Sequence, residues 1–238
     1  STVTCASSFE TVLLEDSPGP IRPGGKIYLL EDENDSFDIE EVVDSSENFT
    51  LSRENEPNLG FSGSVYWVLL HIRNDSSHGD WILELAYPPF DSIDVYLLSE
   101  LGPDARVLHR ERTGDSVPMS EKGVRTRTHT ASLPVNPGET AFLLLEGRTE
   151  STFALPLRIW RRESFAGHQS RTLLLFGILF GFYLVMALYH IPLYFSSKDR
   201  SYFFYTLFVS SYLFFQASMS GIGALYLWPE LTWWADRS

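Results

Sequence analysis

Apolar and polar positions alternate with a period of two through much of the first two thirds of the chain, the repeat of a strand with one face buried and one face wet. The segments that read this way are 9–14, 26–31, 37–43, 65–73, 81–87, 93–98, 124–133, 141–146 and 153–160. Breakers stand between them, such as P-G-P, P-G-G, R-N-D-S-S-H-G-D, P-P-F-D, L-G-P-D and N-P-G-E, each rich in residues that set turn geometry. Many short strands at fairly regular spacing, with no helical period among them, predict an antiparallel all-β sandwich or barrel. One strand stands out. In V-Y-W-V-L-L-H-I-R-N the even positions Tyr66, Val68, Leu70 and Ile72 form an apolar face, while Trp67, His71 and Arg73 lie beside Leu69 on the other. A face meant only for water does not need a tryptophan.

After Trp160 the alternation stops. Residues 172–195 run without an Asp, Glu, Lys or Arg, and at about 1.5 Å per residue such a helix exceeds the roughly 30 Å hydrocarbon core of a bilayer. A polar S-S-K-D-R loop follows, then a second uncharged run over 201–227, so the pattern predicts two transmembrane helices joined by a tight hairpin. Lys198 and Arg200 in the loop favour a cytoplasmic turn, while Arg158, Arg161, Arg162 and Arg171 before the first run pull the other way. An external β-domain is the expected arrangement, because large domains translocate largely regardless of charge. Residues 228–234, W-P-E-L-T-W-W, then fall at the outer interface, and the protein is expected to continue past Ser238. His190, Pro192 and Gln216 are the polar or helix-breaking features of the membrane region; bundle interior and helix end are both open to the first two. Gly181, Gly221 and Gly223 would permit close helix packing.

Charge follows the same division. Up to Leu157 there are 27 Asp and Glu against 11 Lys and Arg, and from Arg158 onward 4 against 7; the nets of −16 and +3 make up the −13 of the 238-residue chain. So acidic a first region argues against nucleic acid, whose phosphates need clustered basic side chains; a cationic or neutral partner is easier to accommodate. Cys5, the single cysteine, cannot form an internal disulfide. The S-T-V-T-C-A-S-S start is compatible with the trimmed end of a secretory signal.

Catalytic and metal constellations are thin. The acidic run 31–47 carries nine carboxylates and no base, but an EF-hand starting at Asp32 would put Phe37 at the glycine position and Val43 at the bidentate glutamate. A solvated hairpin, with Asn34 and Asp35 near its turn and Phe37, Ile39 and Val43 inward, is the expectation, and no metal or cofactor is implied. No nucleophile motif or paired-His spacing is present. Glu84 and Asp94 share the parity opposite their strands' apolar sets and could share a face, as two glycosidase carboxylates must, although surface salt bridging explains them more cheaply.

The order of segments carries a resemblance: K-I-Y-L-L-E-D, F-D-I-E-E-V-V, V-Y-W-V-L-L-H-I-R-N, D-W-I-L-E-L, I-D-V-Y-L-L, a turn at Gly114, an Arg-bearing V-R-T-R-T strand, and L-P-L-R-I-W leading into the first apolar run. From about Leu13 this resembles the bacterial seven-transmembrane receptors with diverse intracellular signalling modules, in their second type of extracellular domain. The chain departs from the family at Thr130 and Ala131, where an aromatic is expected. The resemblance implies a jelly-roll-like sensor domain outside the inner membrane that binds carbohydrate or another small ligand. It also implies seven spans and a cytoplasmic output such as a histidine kinase or diguanylate cyclase, with no enzyme in these residues.

The expected architecture is therefore an all-β jelly-roll-like sandwich over 1–160, a juxtamembrane linker over 161–171, and the first two transmembrane α-helices over 172–238. The lipid bilayer and a small-molecule or glycan ligand are the expected partners, with the β-domain a monomer or weak homodimer. A membrane-anchored adhesive domain is the competing class, and a jelly-roll glycan-active enzyme a more distant one. For the ligand, Trp67, His71 and Arg73 could share a concave face with Arg125, Arg127 and His129 of the second Arg-bearing segment, giving an aromatic and cationic patch for an anionic or polyhydroxylated molecule. The bland alternative has Trp67 in the inter-sheet core and the arginines neutralising nearby acids.

Overall fold

A computed structural model describes residues 9–227 and 229; Cys5 and most of W-P-E-L-T-W-W lie outside them. In chain order the elements are β1 (Thr11–Leu14), β2 (Tyr28–Asp32), α1 (Ile39–Asp44), β3 (Thr50–Leu51), β4 (Asn58–Phe61), β5 (Val65–Asn74), β6 (Asp80–Leu85), β7 (Ser92–Leu98), β8 (Val107–Thr113), β9 (His129–Pro134), β10 (Thr140–Arg148), β11 (Thr152–Ala154), β12 (Leu157–Arg161), α2 (Arg162–Ser197) and α3 (Arg200–Met219).

The strand with an apolar residue on both faces is the centre of the larger sheet. β5 pairs antiparallel with β10 along one edge; along the other, residues 65–69 pair antiparallel with β2 and residues 71–74 pair parallel with β1. The seven-stranded sheet runs β3-β2-β5-β10-β7-β8, with β1 beside β5, and faces a three-stranded sheet β12-β6-β9. Tyr66, Val68, Leu70 and Ile72 of β5 enter the core between the sheets with Trp81, Leu83 and Leu85 of β6 and with Leu157 and Ile159 of β12. A mostly antiparallel β-sandwich results, followed by a long apolar helix.

Trp67, Leu69, Tyr28, Tyr96, Leu98, Phe142 and Leu144 face the opposite side of the larger sheet, where Val42 and Val43 of α1 and Phe49 cover them in a second apolar cluster. That lid corrects the expected hairpin strand over 37–43. Asp38 accepts from the Glu41 amide while the Glu41 side chain accepts from the Asp38 amide, a capping box that starts a helix. Phe37 is left exposed. Upstream, the Asp32 carboxylate accepts from the amides of Ser36 and Phe37; burial alone would raise its pKa, but these bonds outweigh it and hold the group below the usual carboxylate range.

Two further departures have local causes. The predicted strand 124–133 is a strand only from His129, because Thr126 turns its hydroxyl onto the Thr128 carbonyl and so offers the backbone a partner other than a ladder. The predicted strand 153–160 is divided between β11 and β12, which join different sheets on either side of Pro156.

α2 begins at the residue after β12 ends, so the expected linker over 161–171 is strand at Arg161 and helix from Arg162. It is the one described helix long and apolar enough to cross a membrane, and only 6% of its most apolar stretch is buried. α3 packs back against α2 after a turn in which Lys198 adopts a left-handed conformation and Asp199 caps the new helix through the Ser201 amide. His190 lies 4.3 Å from the Tyr205 ring, which places it on the face α2 turns toward α3.

Candidate functional site

The outer face of the three-stranded sheet is where the β-domain meets the helices. Glu84, on the polar parity of β6, is 1% exposed; one carboxylate oxygen accepts from the Thr128 hydroxyl at 2.9 Å and the other from the Trp160 indole at 2.8 Å. A buried carboxylate persists only with such partners. The Trp160 ring stacks at 4.7 Å on His168 of α2, and Ile82, Trp160 and Phe165 form a small apolar cluster. The segment before β9 adds two contacts: the Arg127 guanidinium sits 5.5 Å above the Phe176 ring, and the Gln169 side-chain amide donates to the Arg125 carbonyl. Beyond α3 the chain returns to this place. Gly221, at φ +74°, packs so tightly that a Cβ there would lie 2.0 Å from the Arg127 carbonyl oxygen. Its small size serves this junction rather than helix packing, whereas a Cβ on Gly181 would meet nothing within 4 Å among the described residues.

The six residues expected to form one patch are separated by the thickness of the sandwich. Trp67 is 1% exposed in the cluster under α1, with no hydrogen-bond partner for its indole nitrogen among the described residues. His71, on the same face, takes or gives a hydrogen bond with the Thr11 hydroxyl at 2.8 Å and stacks on Phe142; burial lowers its pKa. Arg73 is exposed and paired with Asp75 at 2.7 Å. Arg125 is exposed, and half-buried Arg127 is turned toward α2; both precede the strand expected to carry them. His129 is 3% exposed, its Nε2 donating to the Pro88 carbonyl at 2.6 Å. Desolvation, with a smaller push from Lys122, depresses its pKa to about 3. Parity was therefore read correctly along β5 but could not reveal which sheet the second segment joins.

Glu84 and Asp94 are separated in the same way. Leu83 and Leu85 flank Glu84, and Ile93 and Val95 flank Asp94, and all four apolar residues enter the inter-sheet core. The two carboxylates consequently occupy opposite outer faces and cannot flank one bond.

Asp94 belongs instead to a charged row on the larger sheet. Register sets Trp67 opposite Glu146, Glu146 opposite Asp94, and Asp94 opposite Arg112. Arg110 reaches Asp94 at 3.0 Å and lies 5.0 Å above the Tyr96 ring, and Arg112 reaches Asp94 at 3.5 Å. Arg148 pairs with Glu146 at 2.6 Å and with Asp35. β8 was not among the predicted strands, since V-L-H-R-E-R-T has too many charges for an apolar period; as an edge strand it needs only one covered side, and charge there blocks unwanted pairing.

Past β8 the chain turns sharply at Gly114, φ +134°, where a Cβ would lie 2.2 Å from the Asp91 carbonyl oxygen. The loop over 115–121 is pinned by the Asp115 and Ser116 amides donating to Phe90 and Asp91 carbonyls. Between it and β8 opens a cleft of about 450 Å³ lined by Arg110, Glu111, Arg112, Ser116, Pro118 and Glu121. The loop's far side reaches the junction, with the Met119 amide donating to the Pro229 carbonyl at 3.1 Å.

Residues 24–161, more than half of the chain, match the family described as 7TMR-DISM extracellular 2. The chain belongs to the 7TMR-DISM receptors. Residues 172–238 match the adjoining region described as 7TM diverse intracellular signalling. As a 7TMR-DISM chain it is a membrane sensory receptor with its N-terminal domain outside, and both matched regions are receptor rather than catalytic families. No curated protein matches. Among solved structures, a β-glucosidase from Kluyveromyces marxianus in complex with glucose is 16% identical over 57% of this chain and 15% of its own, with a TM-score of 0.30; so loose a superposition bears on neither fold nor activity.

Proposed function

We propose that this chain is the input half of a multi-span 7TMR-DISM receptor of a bacterial inner membrane. In this reading a jelly-roll-like sandwich binds a small ligand outside. α2, α3 and the spans after them carry the change to a cytoplasmic kinase or cyclase module. The observation that supports it most is the junction itself. Glu84 ties β6 to Trp160 of β12 and to Thr128, Trp160 stacks on α2, and Arg127 touches both α2 and the chain after α3. A rigid sandwich bound to its helices through few, specific contacts can bias two arrangements of the helices.

In the full-length receptor, Gly221→Ala and Glu84→Gln are expected to change basal output about fivefold or more, the lower end of usual coupling energies. Unchanged output from both, at normal membrane levels, would remove the relay. Topology is checked separately. A reporter active only in the cytoplasm is expected to be silent when fused at Ser151 and active at Ser197.

A further inference from the structure

Resting on the receptor reading, we infer that the cleft between β8 and the loop over 115–121 is a binding site for a small zwitterion carrying a carboxylate and an ammonium group, as an α-amino acid does. Its volume falls within the roughly 300–1,000 Å³ of small-molecule sites, and its lining carries both signs of charge. Arg110 and Arg112 stand two residues apart on an edge strand with about three fifths of each side chain exposed. They share one carboxylate, Asp94, so the pair keeps an uncompensated positive charge and free guanidinium donors, the geometry that grips a carboxylate in parallel bonds.

The second half of the site is acidic. Glu111 accepts from the Ser132 amide with one oxygen at 2.7 Å, while its other oxygen is buried with no hydrogen-bond partner among the described residues. That second oxygen lies against Gly123, so Glu111 lends its negative charge to the inner side of the cleft without a direct contact. Glu121, exposed on the loop, adds a further negative charge beside it. A plain anion would meet these carboxylates inside a domain of net charge −16, and a plain cation would meet the arginines; a zwitterion satisfies both. Val117 and Pro118 supply an apolar floor, which suits a short side chain.

The loop that walls the cleft also donates from Met119 to Pro229 and runs on through Arg125 and Arg127 to α2. A ligand bridging β8 and Glu121 would fix this loop relative to the sandwich, and thereby the segment that touches the helices.

Calorimetric titration of the whole chain in nanodiscs, with glycine, L-alanine, L-serine and L-glutamine as probes and acetate, ethylamine and glucose as controls, tests the site. At least one zwitterion is expected to bind, with its deaminated and decarboxylated analogues about tenfold weaker or more, the usual worth of one charge-assisted hydrogen bond. Arg112→Ala and Glu121→Gln, both at exposed positions and verified by an unchanged melt, are each expected to weaken binding by about the same factor. Binding by none of the zwitterions, equal binding of acetate, or undiminished affinity in both variants overturns the site. If the probes fail while Gly221→Ala and Glu84→Gln still shift output, the receptor reading stands and this ligand class falls. Binding with no effect of those junction variants on output gives the reverse result.

Discussion

Trp67→Ala is expected to destabilise the β-domain by about 3–5 kcal/mol, the usual cost of emptying a large aromatic site in a packed interior. Trp67 is enclosed by Leu69, Tyr28, Phe142 and the valines of α1, and nothing mobile on the solvent side can collapse into its place without moving that helix. Chemical denaturation of the purified chain, followed by near-ultraviolet circular dichroism, measures the loss. Arg73→Ala is the contrast. Its side chain is 56% exposed and its ion pair to Asp75 spans two residues, so the change is expected to stay within about 0.5 kcal/mol. A loss below about 1 kcal/mol for Trp67→Ala would mean that the ring is not part of the second core.

The second large effect is a loss of stability in mild acid. His129 has a folded-state pKa of about 3 because burial desolvates it and Lys122 opposes its charge, which the Asp115 carboxylate 3.9 Å from its Nε2 does not offset, against about 6.5 in the unfolded chain. Between these values the unfolded state holds a proton that the folded state lacks, so stability rises with pH across the window. The contribution is complete above the unfolded value and is lost as pH falls toward 3, at up to about 1.4 kcal/mol per pH unit. His71, whose pKa burial also lowers, adds in the same direction. The carboxylates held low, Asp32 and Glu139, begin to contribute only nearer pH 4. Melting temperature is therefore expected to fall already between pH 6.5 and 5. His129→Gln, which keeps a donor for the Pro88 carbonyl, should flatten that part of the curve, and an unaltered slope in the variant would assign the effect to other groups.

Several elements were legible in the residues because their cause is local. β5 is hydrophobic on both parities, and a strand of that kind must be covered twice; the structure covers it with the smaller sheet on one side and α1 on the other. The uncharged run after Trp160 predicted a helix long and apolar enough to cross a membrane, and α2 has that length and apolarity. α1 was misread as a strand, because its hydrophobic period is ambiguous over six residues; the signal it did carry lay in its capping residues Asp38 and Glu41. β8 was not legible, because an edge strand carries no apolar repeat to detect.

The sequence by itself determined the division of the chain into an acidic β-rich region and an apolar helical one, and which parity of each strand seeks an interior, since both follow from side-chain solvation and the fixed period of the backbone. It could not determine which faces meet. Whether Trp67 and His129 share a surface depends on strand order and on which sheet each strand joins, properties of hydrogen-bond pairing between residues far apart in the chain, with no trace in local pattern. Tertiary pairing put β5 and β9 in different sheets, dispersed the expected patch, turned Arg127 toward the helices, and brought Arg112 and Glu121 to the two sides of one cleft.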